Sequence, residues 1–375
     1  MFNDISRQEF LSHYWQRQPY VFRSAFGDFV DPISPEELAG LSLESDVESR
    51  LIQQRGSAWS VENGPLTSEF FESLPASHWT LLVQSVDYWA PETAALMQPF
   101  NFIPNWRRDD LMISFATANG GVGPHIDQYD VFLIQGLGRR HWKVGQPNAE
   151  TESFTPHPCL KQIKPFDSIL DVCLNPGDVL YIPPNTPHDG VALEDCLTYS
   201  VGFRAPSRQM LLEQLLLDQL AEDESSSHRY KDHDQSTVKG QQLPSSAIEW
   251  SKQALTGITE QQIMNAFGKL VTRPKFPPEE ALDDIEQIKN SLLSEATQLH
   301  VCTDCRWTFH QTEHSFSLYA NGETYEFKPE YATFLINLFE NGYWNTKNVN
   351  ISLQDVEFTN RIANLVFNGC LFFKH

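Results

Sequence analysis

The chain has 375 residues, more than one ordinary hydrophobic core organises, so two or three domains are expected. It is 41% hydrophobic and 12% aromatic, as globular proteins are, while 27 basic against 49 acidic residues leave a net charge of −22. That balance argues against direct DNA binding, which needs a basic patch, and favours encounter with basic partners. "MFNDISRQEF" offers no basic n-region or apolar h-region, and no apolar run approaches the ~20 residues of a membrane span. Six scattered cysteines suit a reducing compartment, so a cytoplasmic protein is expected.

In chain order, Ser6 and Glu9 form a capping-box pattern ahead of a helix carrying Phe10, Leu11 and Tyr14, ended by Pro19. "YVFRSAF" reads as a strand, and residues 30–110 are mixed, with helical "SPEELAGL" and "WAPETAALMQPF". From 111 to 203 the chain turns to short apolar runs broken by Gly and Pro, among them "LMISFATA", "VFLIQGLG", "RHWKVG", "DVLYIPP" and "CLTYSVGF". Such spacing predicts a barrel or sandwich. After Ser207 the pattern is helical. "RQMLLEQLLLDQLAE" carries Leu around most of its circumference, predicting burial on more than one side. A polar segment, 224–246, precedes two helices expected near 247–270 and 278–298. From 301 a small α+β unit is expected: a hairpin over "WTFHQTEHSFSLYANGETYEF" with its turn at "ANGE", then helix, helix and strand, as in a winged-helix module.

Two motifs carry chemistry. In "PHIDQYD", His125 and Asp127 are two residues apart, so on a strand both side chains point to one face. In "GDVLYIPPNTPHDGV", a strand ends in two prolines and a turn that presents His188. Two imidazoles and one carboxylate are the ligand set of non-haem Fe(II) oxygenases. The second motif reads Gly177, Pro183, Asn185 and His188 in cupin spacing, with Asn where glycine is usual. "CTDC" with His310 and His314 is too tightly spaced for a zinc loop and is set aside. His13, His78 and His141 have no ligand spacing.

Residues 90–205 resemble the Jumonji-C family of 2-oxoglutarate oxygenases, through "PHIDQYDVFLIQGLGRRHW" and "GDVLYIPPNTPHDGVAL". With "LMISFATANGGVGPHIDQYDVFLIQGLGRRHWKVG", the helical middle and the small C-terminal unit, the whole chain is similar to bacterial ribosomal oxygenases. These are arginine hydroxylases acting on the large-subunit ribosomal protein L-sixteen. The resemblance implies an α+β fold in three parts: a double-stranded β-helix with its N-terminal extension at 1–206, a helical dimerisation region at 207–299, and a winged-helix-like domain at 300–375. It also implies a homodimer, and Fe(II) held by His125, Asp127 and His188, with 2-oxoglutarate as cosubstrate.

In the family a basic residue two positions after a strand glycine anchors the far carboxylate of 2-oxoglutarate. Gly138 selects Arg140, and alternation puts Arg140 on one face with Trp142 and Val144. Ser114 and Ser200 lie on neighbouring strand candidates and could supply a hydroxyl to that carboxylate. Tyr129 and Asp130, just past the metal motif, could meet a basic substrate side chain, although Asp130 could equally cap a turn. The alternatives are a Jumonji-C hydroxylase of another basic protein, a cupin enzyme without 2-oxoglutarate, and a non-enzymatic binding module. An aspartate at the second ligand position, and Arg140, count against the cupin enzyme. The acidic "YANGETYEF" and the neutral "NLFENGYW" count against a DNA-binding wing.

Overall fold

The computed structural model describes residues 3–222, 245–277, 284–292, 298–345 and 355–374. They fall into two compact units, residues 1–205 and 206–375. The strands of the first unit are β1 (Tyr20–Phe22), β2 (Ser49–Arg55), β3 (Ala58–Asn63), β4 (Trp79–Val83), β5 (Arg108–Ala116), β6 (His125–Ile126), β7 (Val131–Gln135), β8 (Arg140–Gly145), β9 (Ser153–Phe154), β10 (Gln162–Ile163), β11 (Ser168–Leu174), β12 (Val179–Ile182), β13 (Pro187–Ala192) and β14 (Cys196–Phe203). They form an eight-stranded sheet, β1-β12-β7-β14-β5-β4-β2-β3, and a six-stranded sheet, β11-β8-β13-β6-β10-β9. Val131, Leu133, Trp142, Val144, Leu174, Leu180 and Ile182, drawn from both sheets, pack into one buried cluster. Closure of two sheets around one interior is the expected double-stranded β-helix.

The N-terminal extension docks by aromatic packing. In α1 (Arg7–His13), Phe10 is fully buried, its ring 5.3 Å from that of Phe22, 5.7 Å from Phe132 and 5.1 Å from Tyr181. Only half of the expected capping box forms: Ser6 Oγ accepts from the Glu9 amide, with no return bond from the Glu9 side chain. A complete box caps α2 (Pro35–Leu41) through Ser34 and Glu37. Two short helices, α3 (Ser68–Glu72) and α4 (Val86–Trp89), follow β3 and β4. The expected helix "WAPETAALMQPF" is a 3-10 stretch, Pro91–Phe100, with Pro91 at its first turn and Pro99, which cannot donate a backbone hydrogen bond, inside its last. Strands β2 and β3 were not anticipated; Arg50, Gln53 and Gln54 give β2 a composition that resembles a helix surface.

In the second unit, α5 (Arg208–Glu222) packs on α7 (Glu260–Thr272) through one face only. Of its leucines, Leu215 is buried, whereas Leu212, Leu216, Leu217 and Leu220 are exposed. The expectation of burial on several sides is therefore corrected. Lys269 Nζ of α7 reaches Asp218 at 3.1 Å, Leu211 is half-buried, and Leu212, Leu216, Leu217 and Leu220 face outward. The helix expected at 247–270 is two, α6 (Ser245–Thr256) and α7, separated at Gly257 and restarted by the Thr259–Gln262 capping box. Of the helix expected over 278–298, α8 (Ile285–Leu292) is described and Gln298 already belongs to a strand, while 278–283 and 293–297 lie outside the described residues together with 223–244.

The expected hairpin is a three-stranded meander: β15 (Gln298–Val301) is followed by β16 (Trp307–Gln311), β17 (Phe316–Ala320) and β18 (Glu323–Phe327). Asn321 (φ +48°) and Gly322 (φ +82°) make the tight "ANGE" turn. Helix α9 (Ala332–Asn341), β19 (Tyr343–Asn345), α10 (Val356–Phe367) and β20 (Leu371–Lys374) complete the unit, with β15 central in the sheet β19-β15-β20.

Candidate metal and cosubstrate site

Three neighbouring strands of the six-stranded sheet build the site. In β13, His188 pairs with His125 of β6 on one side and with Val144 of β8 on the other. The imidazole centroids are 4.1 Å apart, and Asp127 Oδ2 is 3.8 Å from His125 Nε2 and 3.6 Å from His188 Nε2. One donor atom from each of His125, Asp127 and His188 lies within 4.8 Å of the others, and no second such group occurs among the described residues. His310 and His314 join none.

The tautomers follow from the hydrogen bonds. His125 Nδ1 is 2.9 Å from Gly123 O, and His188 Nδ1 is 2.9 Å from Thr186 O. A carbonyl only accepts, so each Nδ1 carries the proton and each Nε2 presents a lone pair toward Asp127. Burial, and then the charge of His125, lower the His188 pKa to about 4, so its ring is neutral at physiological pH. A borderline-hard divalent cation fits this donor set.

The turn before His188 explains the asparagine in the second motif. Asn185 has φ +57°, a left-handed conformation that asparagine tolerates, and its amide donates to Asp127 O at 2.8 Å. One turn thus ties the His188 strand to the segment bearing Asp127.

Arg140 opens β8, where Arg140, Trp142 and Val144 are buried and Lys143 is exposed. Its Nη1 donates to Ser114 Oγ at 3.2 Å and Thr198 Oγ1 at 3.3 Å, and Nη2 donates to Gly190 O at 3.3 Å. The guanidinium carbon lies 5.2 Å from the Trp142 ring centroid. Among the described residues Arg140 forms no ion pair, its Nε has no hydrogen-bond partner, and burial lowers its pKa. The Asp189 charge acts on this buried cation without an ion-pair contact, and a carboxylate bound directly to the guanidinium would offset the cost of burying it. Gly190 makes the packing possible, since a Cβ there would fall 2.6 Å from the Trp142 ring.

Of the two serines named from the sequence, Ser114 bonds Arg140, while Ser200 is buried two residues beyond Thr198 with no hydrogen bond to Arg140. Thr198 was missed, although alternation along "CLTYSVGF" puts it on the face of Ser200. Tyr129 is exposed, and burial by neighbouring groups with the nearby Asp127 charge raises its phenol pKa. Asp130 requires correction: it is fully buried, not facing substrate. Its carboxylate accepts from Tyr181 Oη at 2.6 Å, Gln16 Nε2 at 3.0 Å and Arg107 Nη2 at 3.0 Å, binding the extension to the barrel. An aspartate three residues past a metal motif gave no sign of partners 23 to 114 positions away.

Two sheets closed around an interior, with two imidazoles and a carboxylate converging beside a strand that buries an arginine with no ion-pair contact among the described residues, define a metal-dependent oxygenase-type barrel. The family description "JmjC domain" matches residues 95–211. The chain is 38% identical to the ribosomal protein uL16 3-hydroxylase of Escherichia coli K12, over 98% of this chain and 97% of that protein. It is 32% identical to a probable ribosomal oxygenase of Haemophilus influenzae, over 85% and 82%. An X-ray structure of E. coli YcfD superposes with a TM-score of 0.82 at 38% identity, covering 99% of both chains. YcfD in complex with cobalt and 2-oxoglutarate gives 0.79 at 37%, again covering 99% of both. The chain belongs to the JmjC-domain ribosomal oxygenase family.

Proposed function

We propose that this protein is an Fe(II)- and 2-oxoglutarate-dependent oxygenase that hydroxylates an arginine side chain of ribosomal protein uL16, the L-sixteen of the large subunit. The observation that carries the chemistry is the pairing of three converging donors with a buried arginine that forms no ion pair among the described residues, in one barrel. The uL16 3-hydroxylase named above supports the substrate. His125, Asp127 and His188 hold the metal. Fe(II) bound there with 2-oxoglutarate and dioxygen supplies the power to hydroxylate a C–H bond, the cosubstrate ending as succinate and carbon dioxide.

The chain's own task is orientation. The neutral His188 ring offers its Nε2 lone pair without first losing a proton. Arg140 receives the far carboxylate of 2-oxoglutarate, with Ser114 and Thr198 fixing its guanidinium fork and Trp142 shielding it from water. Tyr129, exposed and two residues from Asp127, contacts the substrate at the site's rim, and the net charge of −22 draws in a basic ribosomal protein. A ribosomal substrate implies a cytoplasmic site of action; no helix among the described residues is long and apolar enough to cross a membrane.

The exposed row of Leu212, Leu216, Leu217 and Leu220 supports a homodimer through the helical region 207–299, with 300–375 as the winged-helix-like domain. Asp127→Ala tests the enzyme reading directly: it should abolish 2-oxoglutarate turnover, and retained hydroxylation would contradict the metal assignment.

A further inference from the structure

The two imidazoles are supported unequally. Both stand on strands paired on both sides, but His188 lies within a six-residue strand, whereas His125 occupies a two-residue strand and its side chain is 24% exposed. The ring of His125 is oriented by the carbonyl of Gly123, in the loop just ahead of it. What holds that carbonyl decides where His125 points.

The neighbouring strand β10 does so. Gln162 is 3% exposed and pairs with His125 across the β10–β6 ladder, and the Ile163 amide donates to Pro124 O at 2.9 Å. The Gln162 side chain folds over the loop, Nε2 donating to Val122 O at 2.6 Å. It fills the space beside Gly123 so closely that a Cβ on Gly123, at φ +78°, would lie 2.3 Å from Nε2. The Gln162 amide therefore grips the carbonyl before Gly123 and packs on Gly123 itself, while the next carbonyl in the loop accepts from His125 Nδ1.

We propose that Gln162 is a positioning residue for the metal centre, holding the 122–124 loop so that the Gly123 carbonyl fixes the tautomer and the aim of His125. The inference rests on the reading of His125 as a metal ligand. Groups that orient a ligating imidazole typically govern metal affinity about 10- to 100-fold when removed. The chain Gln162, Val122, Gly123, His125 acts one step further out, so an effect near the lower end is expected. The short β9–β10 ribbon thus has a defined task, steadying the less anchored of the two imidazoles.

The test compares wild type, Gln162→Met, which keeps volume but cannot donate, and Gln162→Ala. Each is titrated with Co(II) without cosubstrate, the d–d absorption is recorded, and the apo Tm is measured. Then the KM for 2-oxoglutarate is measured at saturating Fe(II). The expected result for Gln162→Met is a Co(II) Kd raised about tenfold with altered d–d bands, and an apo Tm and a KM close to wild type. Unchanged affinity and spectrum would overturn the proposal. So would Kd increases in the two variants that merely track falls in apo Tm, which would assign Gln162 to packing. Failure of the wild type to bind Co(II) would overturn the metal-centre reading itself, and this inference with it.

Discussion

The His188 arm and the His125 arm of the site reach the same metal position by different means. His188 stands in a strand with partners on both edges, and its side chain is 3% exposed. His125 begins a two-residue strand and Asp127 lies just past its end, 24% and 26% exposed, and both lean on a loop, a turn and the β10 ribbon. The lesson is a division of labour. One ligand is held within a long, buried strand, and the other two lean more on local contacts and stay partly exposed. Changes in the second arm should therefore alter metal affinity at little cost in stability, and changes in the first arm should cost both.

The largest contrast comes from deleting ligands. His188→Ala and His125→Ala should each remove measurable metal-dependent turnover, but only His188→Ala should also lower the apo Tm, because it empties a packed interior position. Equal Tm losses would erase the distinction between the arms. Next in size, Arg140→Ala should raise the KM for 2-oxoglutarate at least about tenfold, the loss of a charge-assisted hydrogen bond being worth roughly 1.5–3 kcal/mol, with Co(II) affinity unchanged. An unaltered KM would mean another cation receives the cosubstrate.

Gly190→Ala pushes a methyl into the Trp142 ring beside the His188 arm, and should destabilise by about 1–3 kcal/mol in denaturant unfolding. A neutral result would show that the first arm is looser than its packing implies.

The His188 arm carries a pH response of its own. Below pH 6.5 the unfolded chain protonates His188, whereas the folded site, with that pKa lowered to about 4, does not. Folding thus excludes a proton in this window, and the stability due to His188 is full above 6.5 and lost as pH falls toward 4. The apo Tm of wild type should fall more steeply between pH 7 and 4.5 than that of His188→Gln; parallel profiles would contradict a neutral buried ring. The smallest effect expected is Tyr129→Phe, a few-fold rise in the KM for the protein substrate with that for 2-oxoglutarate unchanged.

Sequence legibility follows the same division. Period-two alternation marked His125 with Asp127, and Arg140 with Trp142, because strands impose it wherever they form. The turn chemistry of "PPNTPH" marked His188. Thr198 could have been found by the same alternation that pointed to Ser200. Gln162 and the Asp130–Tyr181–Gln16–Arg107 cluster could not, because their partners come from strands and loops whose adjacency only the closed barrel creates. The outward leucines of α5 misled for a related reason: a leucine-rich circumference reads alike whether or not the same chain covers it.

The central claim is tested most directly by the intact mass of uL16 from cells with and without the gene for this protein. Loss of the gene should lower the uL16 mass by one oxygen atom, with fragmentation placing that oxygen on an arginine, and the Asp127→Ala gene should fail to restore it. A uL16 mass identical in both cells would contradict the proposed substrate.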